Sequence, residues 1–154
     1  MYPRIDAPSD FVYPSERLLR LGGILSAEDI RRPDRRDHKN DLVRYVIKRG
    51  VTTLTTVGCL NGYESHTRRY FGLSSLDSVE VAVYPYDSNF GPFSRGGDSG
   101  SIIVDANGKF VALLTAGTGS TYSSDITFAS PMHWLWDIIK AEFPGANLYL
   151  EGDN

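Results

Sequence analysis

From position 42 onward the apolar residues fall in short β-branched and aromatic runs separated by glycine or asparagine. Runs of this length bounded by turn formers predict strands, here over 42–48, 52–60, 67–71, 78–86, 101–105, 109–115 and 125–129. Seven such segments at regular spacing point to an antiparallel barrel or sandwich. Asn107-Gly108, between two apolar runs, marks a hairpin because both residues tolerate positive φ. The period changes only near the end, where Ser130 is expected to cap a helix and Pro131 to occupy its first position. Met132, Leu135, Trp136, Ile139 and Phe143 follow at helical spacing, and Pro144-Gly145 closes the segment.

The first forty residues lack this alternation and are rich in Pro, Arg and Asp, so they read as an arm. Ser26-Ala27-Glu28-Asp29 has the pattern of a helix start, serine followed three residues on by a carboxylate, and Pro33 stops that helix. The stretch 31–39 alternates in sign and reads as a solvated linker face. Phe11, Val12, Tyr13, Leu18, Leu19, Leu21, Ile24 and Leu25 offer apolar contacts with which the arm could fold back. The expected division is an arm over 1–41, a β domain with its closing helix over 42–145, and a tail over 146–154.

Composition narrows the function. At 154 residues the chain is sized for one domain, and 16 basic against 19 acidic side chains give a net charge of -3. Such a balance creates no field for a polyanion, so neither nucleic acid nor an anionic membrane is an expected partner. No apolar run approaches the ~20 residues that span a bilayer, and Met1-Tyr2-Pro3-Arg4 lacks an apolar signal core; the expected location is the cytoplasm. The single cysteine, Cys59, excludes an internal disulfide. With only three scattered histidines it makes a structural zinc site unexpected, and no cofactor is implied.

Candidate chemistry concentrates in Ser94-Arg95-Gly96-Gly97-Asp98-Ser99-Gly100-Ser101, a glycine-rich turn just before a buried strand. A nucleophilic serine needs an exposed hydroxyl, with inward-pointing backbone N–H groups about 3 Å from the developing oxyanion. The amides of Gly97 and Ser99 are the candidates here. Taken by itself, Gly-Asp-Ser-Gly equally describes an ordinary turn.

Three segments add to it. Residues 46–58, running Val-Ile-Lys-Arg-Gly-Val-Thr-Thr-Leu-Thr-Thr-Val-Gly, the loop at Gly97-Asp98-Ser99-Gly100, and residues 111–117 followed by Thr127-Phe128-Ala129-Ser130-Pro131 occur in that order. Together they resemble the second barrel of the chymotrypsin-fold, trypsin-like serine proteases of the bacterial and fungal branch. The resemblance implies a single antiparallel six-stranded Greek-key barrel with an N-terminal arm and a C-terminal helix. It casts Ser99 as nucleophile, the Gly97 and Ser99 amides as oxyanion hole, and Asp98 as the buried acid behind the loop. An unpaired buried carboxylate costs several kcal/mol, so Asp98 needs a cation. Lys48 matches the basic residue that bacterial relatives use, and Arg95 is the rival. Substrate selection falls to Phe93, Ser94, Thr115, Ala116 and Gly117, the last three by backbone pairing with an extended peptide. With Phe93 at the pocket floor, an apolar or small side chain is the expected preference; Phe93 as a plain core aromatic is the alternative.

The family keeps its histidine base and orienting aspartate on a first barrel, and forty residues are too few for six strands. His38, His66 and His133 match no family base. Ile47 and Thr56 stand where bacterial relatives carry a disulfide. The expectation is therefore the C-terminal half of a serine endopeptidase, truncated or incompletely read, inactive alone and acting on peptides or proteins. The competing expectation is a non-catalytic module that binds peptides or a partner, and a third is a site completed by an N-terminal barrel supplied in trans.

Overall fold

The β-branched runs pair with neighbours running in the opposite direction, as alternating inward and outward side chains on short connections require. The computed structural model describes residues 19–37, 39–87, 91–118 and 125–148. A short helix α1 (Ala27–Arg31) is followed by strands β1 (Arg35–Arg36), β2 (Leu42–Gly50), β3 (Leu54–Phe71), β4 (Ser74–Pro85), β5 (Ile102–Asp105), β6 (Phe110–Thr118) and β7 (Ile126–Pro131), and by helix α2 (Met132–Glu142). The strand order is β1-β2-β3-β4-β7-β6-β5, and β5 also pairs with β2. Each strand from β2 to β7 thus has at least two hydrogen-bonded neighbours, β2 having β1 as a third, and every named pair is antiparallel.

The sheet encloses a core in which Val46, Val83, Ile103, Val111 and Ala129 are fully buried. Along β2 the inward positions include Val46 and, two residues on, Lys48. A lysine on that face lies inside the protein, and this fact organises the site described below.

Two boundaries differ from expectation. The segments 52–60 and 67–71 are one strand, β3, with a register shift between Leu60 and Glu64. Gly62 is a bulge residue at φ 84°, and a Cβ there would press on the carbonyl of Arg31 at 2.7 Å. The glycine bends a strand around the arm; it does not end it. At the other end, Ser130 and Pro131 remain in β7 because Ser130 pairs with Leu113 and Pro131 with Ala112. Pro131 is the N-cap of α2 and has no side-chain cap bond.

Residues 22–25 of the arm run along β6. Gly22 N–H donates to Gly108 O, Phe110 N–H to Gly23 O and Leu25 N–H to Phe110 O, and Leu25 is buried. Ser26 accepts from the Asp29 amide at 3.1 Å and caps α1, whose Ile30 is also buried. The charged stretch that follows is less solvated than its sequence suggests. Arg31 forks onto Glu64, Pro33 is buried, and Asp34 lies 3.5 Å from the buried Arg44. Phe11, Val12, Tyr13, Leu18 and His38 lie outside the described residues.

Candidate active site

Two successive turns shape the 95–101 loop. Asp98 N–H donates to Arg95 O at 3.0 Å and Ser101 N–H to Asp98 O at 3.1 Å. Each turn has a glycine with positive φ in its third position, Gly97 at 100° and Gly100 at 83°. That is the type II requirement, a conformation an L side chain resists. Asp98, shared by both turns, sends its side chain inward and is 0% exposed, whereas Ser99 faces solvent.

The Asp98 carboxylate collects five donors. Oδ1 accepts from the amides of Thr52 at 2.8 Å and Thr53 at 3.2 Å. Oδ2 accepts from the Thr53 hydroxyl at 2.6 Å, the Arg95 amide at 3.1 Å and Lys48 Nζ at 3.1 Å. Burial alone would raise the carboxyl's pKa; the hydroxyl, the amides and the ammonium outweigh it and hold it well below the usual carboxylate range. Lys48 also donates to the Thr53 hydroxyl and lies 5.7 Å from the centre of the Phe93 ring, a cation–π arrangement. Of the two cations weighed for Asp98, Lys48 supplies the charge, while Arg95 contributes its backbone N–H. Gly50 makes room, since a Cβ there would overlap the Asp98 carboxylate.

In this way a buried ion pair ties the loop to the β2–β3 turn. The amides of Asp98, Gly100 and Ser101 are all committed, the second to Leu114 O at 2.8 Å. Those of Gly97 and Ser99, the two flanking Asp98, have no acceptor among the described residues. The loop, anchored from beneath, therefore carries an exposed serine and, among the described residues, leaves two of its neighbouring backbone donors unspent.

The remaining predicted residues divide. Phe93 is 1% exposed, and the Thr56 hydroxyl donates to its carbonyl at 2.7 Å. Its ring belongs to the buried core and lies beneath Lys48. Ser94 is also buried, its hydroxyl 2.6 Å from that of Thr127. The nearest neighbours of a Cβ built at Gly117 would be Ser94 Oγ and Ile126 O, both at 3.7 Å, so Gly117 lies over the buried Ser94–Thr127 pair. Thr115 lies in a bulge between Leu114 and Ala116, and its hydroxyl donates to the buried Glu80. Beyond it Ala116, Gly117 and Thr118 pair with β7 on one side, while β5 reaches only to Leu113. The other edge of β6 has no strand partner there among the described residues.

Sequence reasoning missed Thr52 and Thr53 as the cradle of Asp98; the tandem threonines in a turn were the available signal. It also missed Glu80 and Asp125, the latter with its carboxyl pushed up by burial against the opposing charge of Arg95. No imidazole hydrogen-bonds to Ser99 among the described residues: His66 is exposed on β3 opposite Val79, and His133 lies in the first turn of α2. Nor, among them, do three or more His, Cys, Asp or Glu side chains gather in a way that could hold a metal ion. No family model matches the chain, and no curated protein is significantly similar to it.

Proposed function

We propose that Ser99 is the nucleophile of a serine endopeptidase site and that this chain forms the C-terminal half of a trypsin-like enzyme, its β2–β7 ring being the Greek-key barrel of that fold. One observation carries the reading: among the described residues the amides of Gly97 and Ser99, on either side of Asp98, have no acceptor, and Ser99 is exposed on a loop pinned by a buried ion pair. Ser99 Oγ attacks the scissile carbonyl carbon, the carbonyl oxygen becomes an oxyanion, and the two amides donate to it. An extended substrate adds as a strand to the open edge of β6 at Ala116 to Thr118, and the side chain before the scissile bond lies against Gly117, with the buried Ser94–Thr127 hydroxyl pair behind it. The hydroxyl proton needs a base, and the reading assigns that role to a histidine on a separate barrel. Without base and orienting acid, a serine-protease site retains only about 10³- to 10⁴-fold catalysis over water.

A second reading, a peptide-binding module that uses the same β6 edge without chemistry, draws on the lack of an imidazole at Ser99 among the described residues. A biotinylated fluorophosphonate separates the two. Slow phosphonylation of Ser99 located by peptide mass, and lost in Ser99→Ala, is the endopeptidase outcome. Unmodified Ser99 together with saturable binding of an extended peptide selects the module. Acceleration on mixing with a histidine-bearing barrel would show that the site is completed in trans.

A further inference from the structure

Strands β3 and β4 continue past the body of the sheet. β2 accompanies β3 only to the Arg44–Leu60 pair, and β7 accompanies β4 only over 81–83. From Ser65–Glu80 to Phe71–Ser74 the two strands, among the described residues, pair with each other alone, seven pairs that at ~3.3 Å per residue project about 20 Å. The end of this hairpin is apolar. Tyr70 is 75% exposed, Phe71 60%, Leu76 59%, and Leu73 fully so, beside the tight turn at Gly72.

The direction of these side chains decides what they fit. Tyr70 pairs with Ser75 on one face, whereas Phe71 and Leu76 lie on the other and Leu73 caps the turn. A protein partner lying against the hairpin would cover one face and leave the rest wet. Four apolar side chains are also far fewer than the 20–30 residues a side that a stable protein interface engages. A lipid interface surrounds whatever enters it. The apolar part, about three residues deep on each strand, measures ~10 Å, the depth to which interfacial elements enter the headgroup and acyl boundary. Behind it comes the Arg68–Asp77 fork at 2.5 and 2.9 Å, and by sequence segment 66–78 carries two arginines against one acid, a net positive charge beside the apolar tip. Tyrosine and arginine suit that position because each joins an apolar body to a polar tip.

We propose that the β3–β4 hairpin tip inserts into the surface of an anionic bilayer and tethers the protein there. No helix among the described residues is long and apolar enough to cross a membrane, so the contact is interfacial. The overall charge of -3 governs long-range attraction and does not bear on a tip this far from the body.

Flotation with vesicles of phosphatidylcholine and phosphatidylserine (4:1) at ~0.1 M salt tests the inference with the full chain. Wild-type protein is expected to float, several-fold more than with phosphatidylcholine alone. Leu73→Asp should lower the bound fraction at least tenfold with an unchanged melting temperature, and a Leu73→Trp variant should gain a blue-shifted emission on adding vesicles. Ser99→Ala should float like wild type, which separates this outcome from the endopeptidase reading. Absence of wild-type flotation at 1 mM lipid (about the usual working concentration), binding undiminished by Leu73→Asp, or a concentration-dependent dimer that Leu73→Asp dissolves would each overturn it, the last assigning the tip to a second copy.

Discussion

Replacing Asp98 by asparagine is the most informative perturbation of the structure. The side chain keeps its shape, but Lys48, with 0% of its side chain exposed, loses the only carboxylate within ion-pair distance among the described residues. An NH₂ placed at Oδ2 would face three donors, the Thr53 hydroxyl, the Arg95 amide and the Lys48 ammonium. Breaking a buried pair on one side costs about 3–5 kcal/mol. At ~2–4 °C per kcal/mol for a domain of this size, the melting midpoint should drop by roughly 6–20 °C. Lys48→Met leaves Asp98 with four of its five donors and fills the channel with an apolar stem, so about 2–3 kcal/mol is expected. In the double variant the stranded ammonium is gone, and the two effects should fall short of their sum by at least ~1 kcal/mol.

Urea unfolding followed by tryptophan fluorescence measures all four proteins, with the slope against denaturant held constant as the check on two-state behaviour. The pH dependence has a definite sign. The carboxyl is held below its ordinary range in the folded state, so its contribution is full above the unfolded value of ~3.9 and fades as pH falls toward the folded one. Wild type should therefore lose more stability than Asp98→Asn between about pH 4 and pH 2. An asparagine variant within ~1 kcal/mol of wild type, or singles that add within ~0.5 kcal/mol, would refute the role assigned to the pair.

Three further outcomes follow from local geometry. Gly50→Ala puts a methyl on the Asp98 carboxylate and should cost about 2–3 kcal/mol, whereas Gly96→Ala, with open space around its Cβ, should stay within ~0.5 kcal/mol; urea midpoints compare the two. Gly97→Ala forces an L side chain to φ 100° and against the Thr52 hydroxyl, turning the 97 amide, and should slow fluorophosphonate labelling of Ser99 by about 10²- to 10³-fold. Burial, with Asp37 and Asp87 adding to it, pushes the Cys59 thiol up to about 12. Native protein at neutral pH should then react with Ellman's reagent at least about a hundredfold more slowly than protein in urea, and equal rates would contradict the burial.

Antiparallel β structure with a terminal helix was legible because short β-branched runs and Asn107-Gly108 are local signals with local causes. The boundaries that moved depended on distant partners. Gly62 reads as a break until the arm is seen crossing over it, and Pro131 reads as a helix start until Ala112 holds it in β7. Within the loop, the positive φ of Gly97 and Gly100 is what glycine at those positions suggests. The Lys48–Asp98 contact joins residues fifty positions apart, and only the resemblance of the first hairpin pointed to it. Thr52 and Thr53 hold Asp98 through two backbone amides and the Thr53 hydroxyl, and of these only the hydroxyl shows in residue type. The projecting hairpin was hidden for a related reason, since Tyr70, Phe71 and Leu73 look like core residues until no partner strand reaches them.

The central claim, that the amides of Gly97 and Ser99 converge beside the Ser99 hydroxyl, is tested most directly by a crystal structure of the chain after prolonged phosphonylation. The expected adduct has phosphorus bonded to Ser99 Oγ and its phosphoryl oxygen about 2.7–3.1 Å from both nitrogens. A phosphoryl oxygen turned to solvent, with those N–H groups bound elsewhere, or an adduct on a different serine, would contradict it.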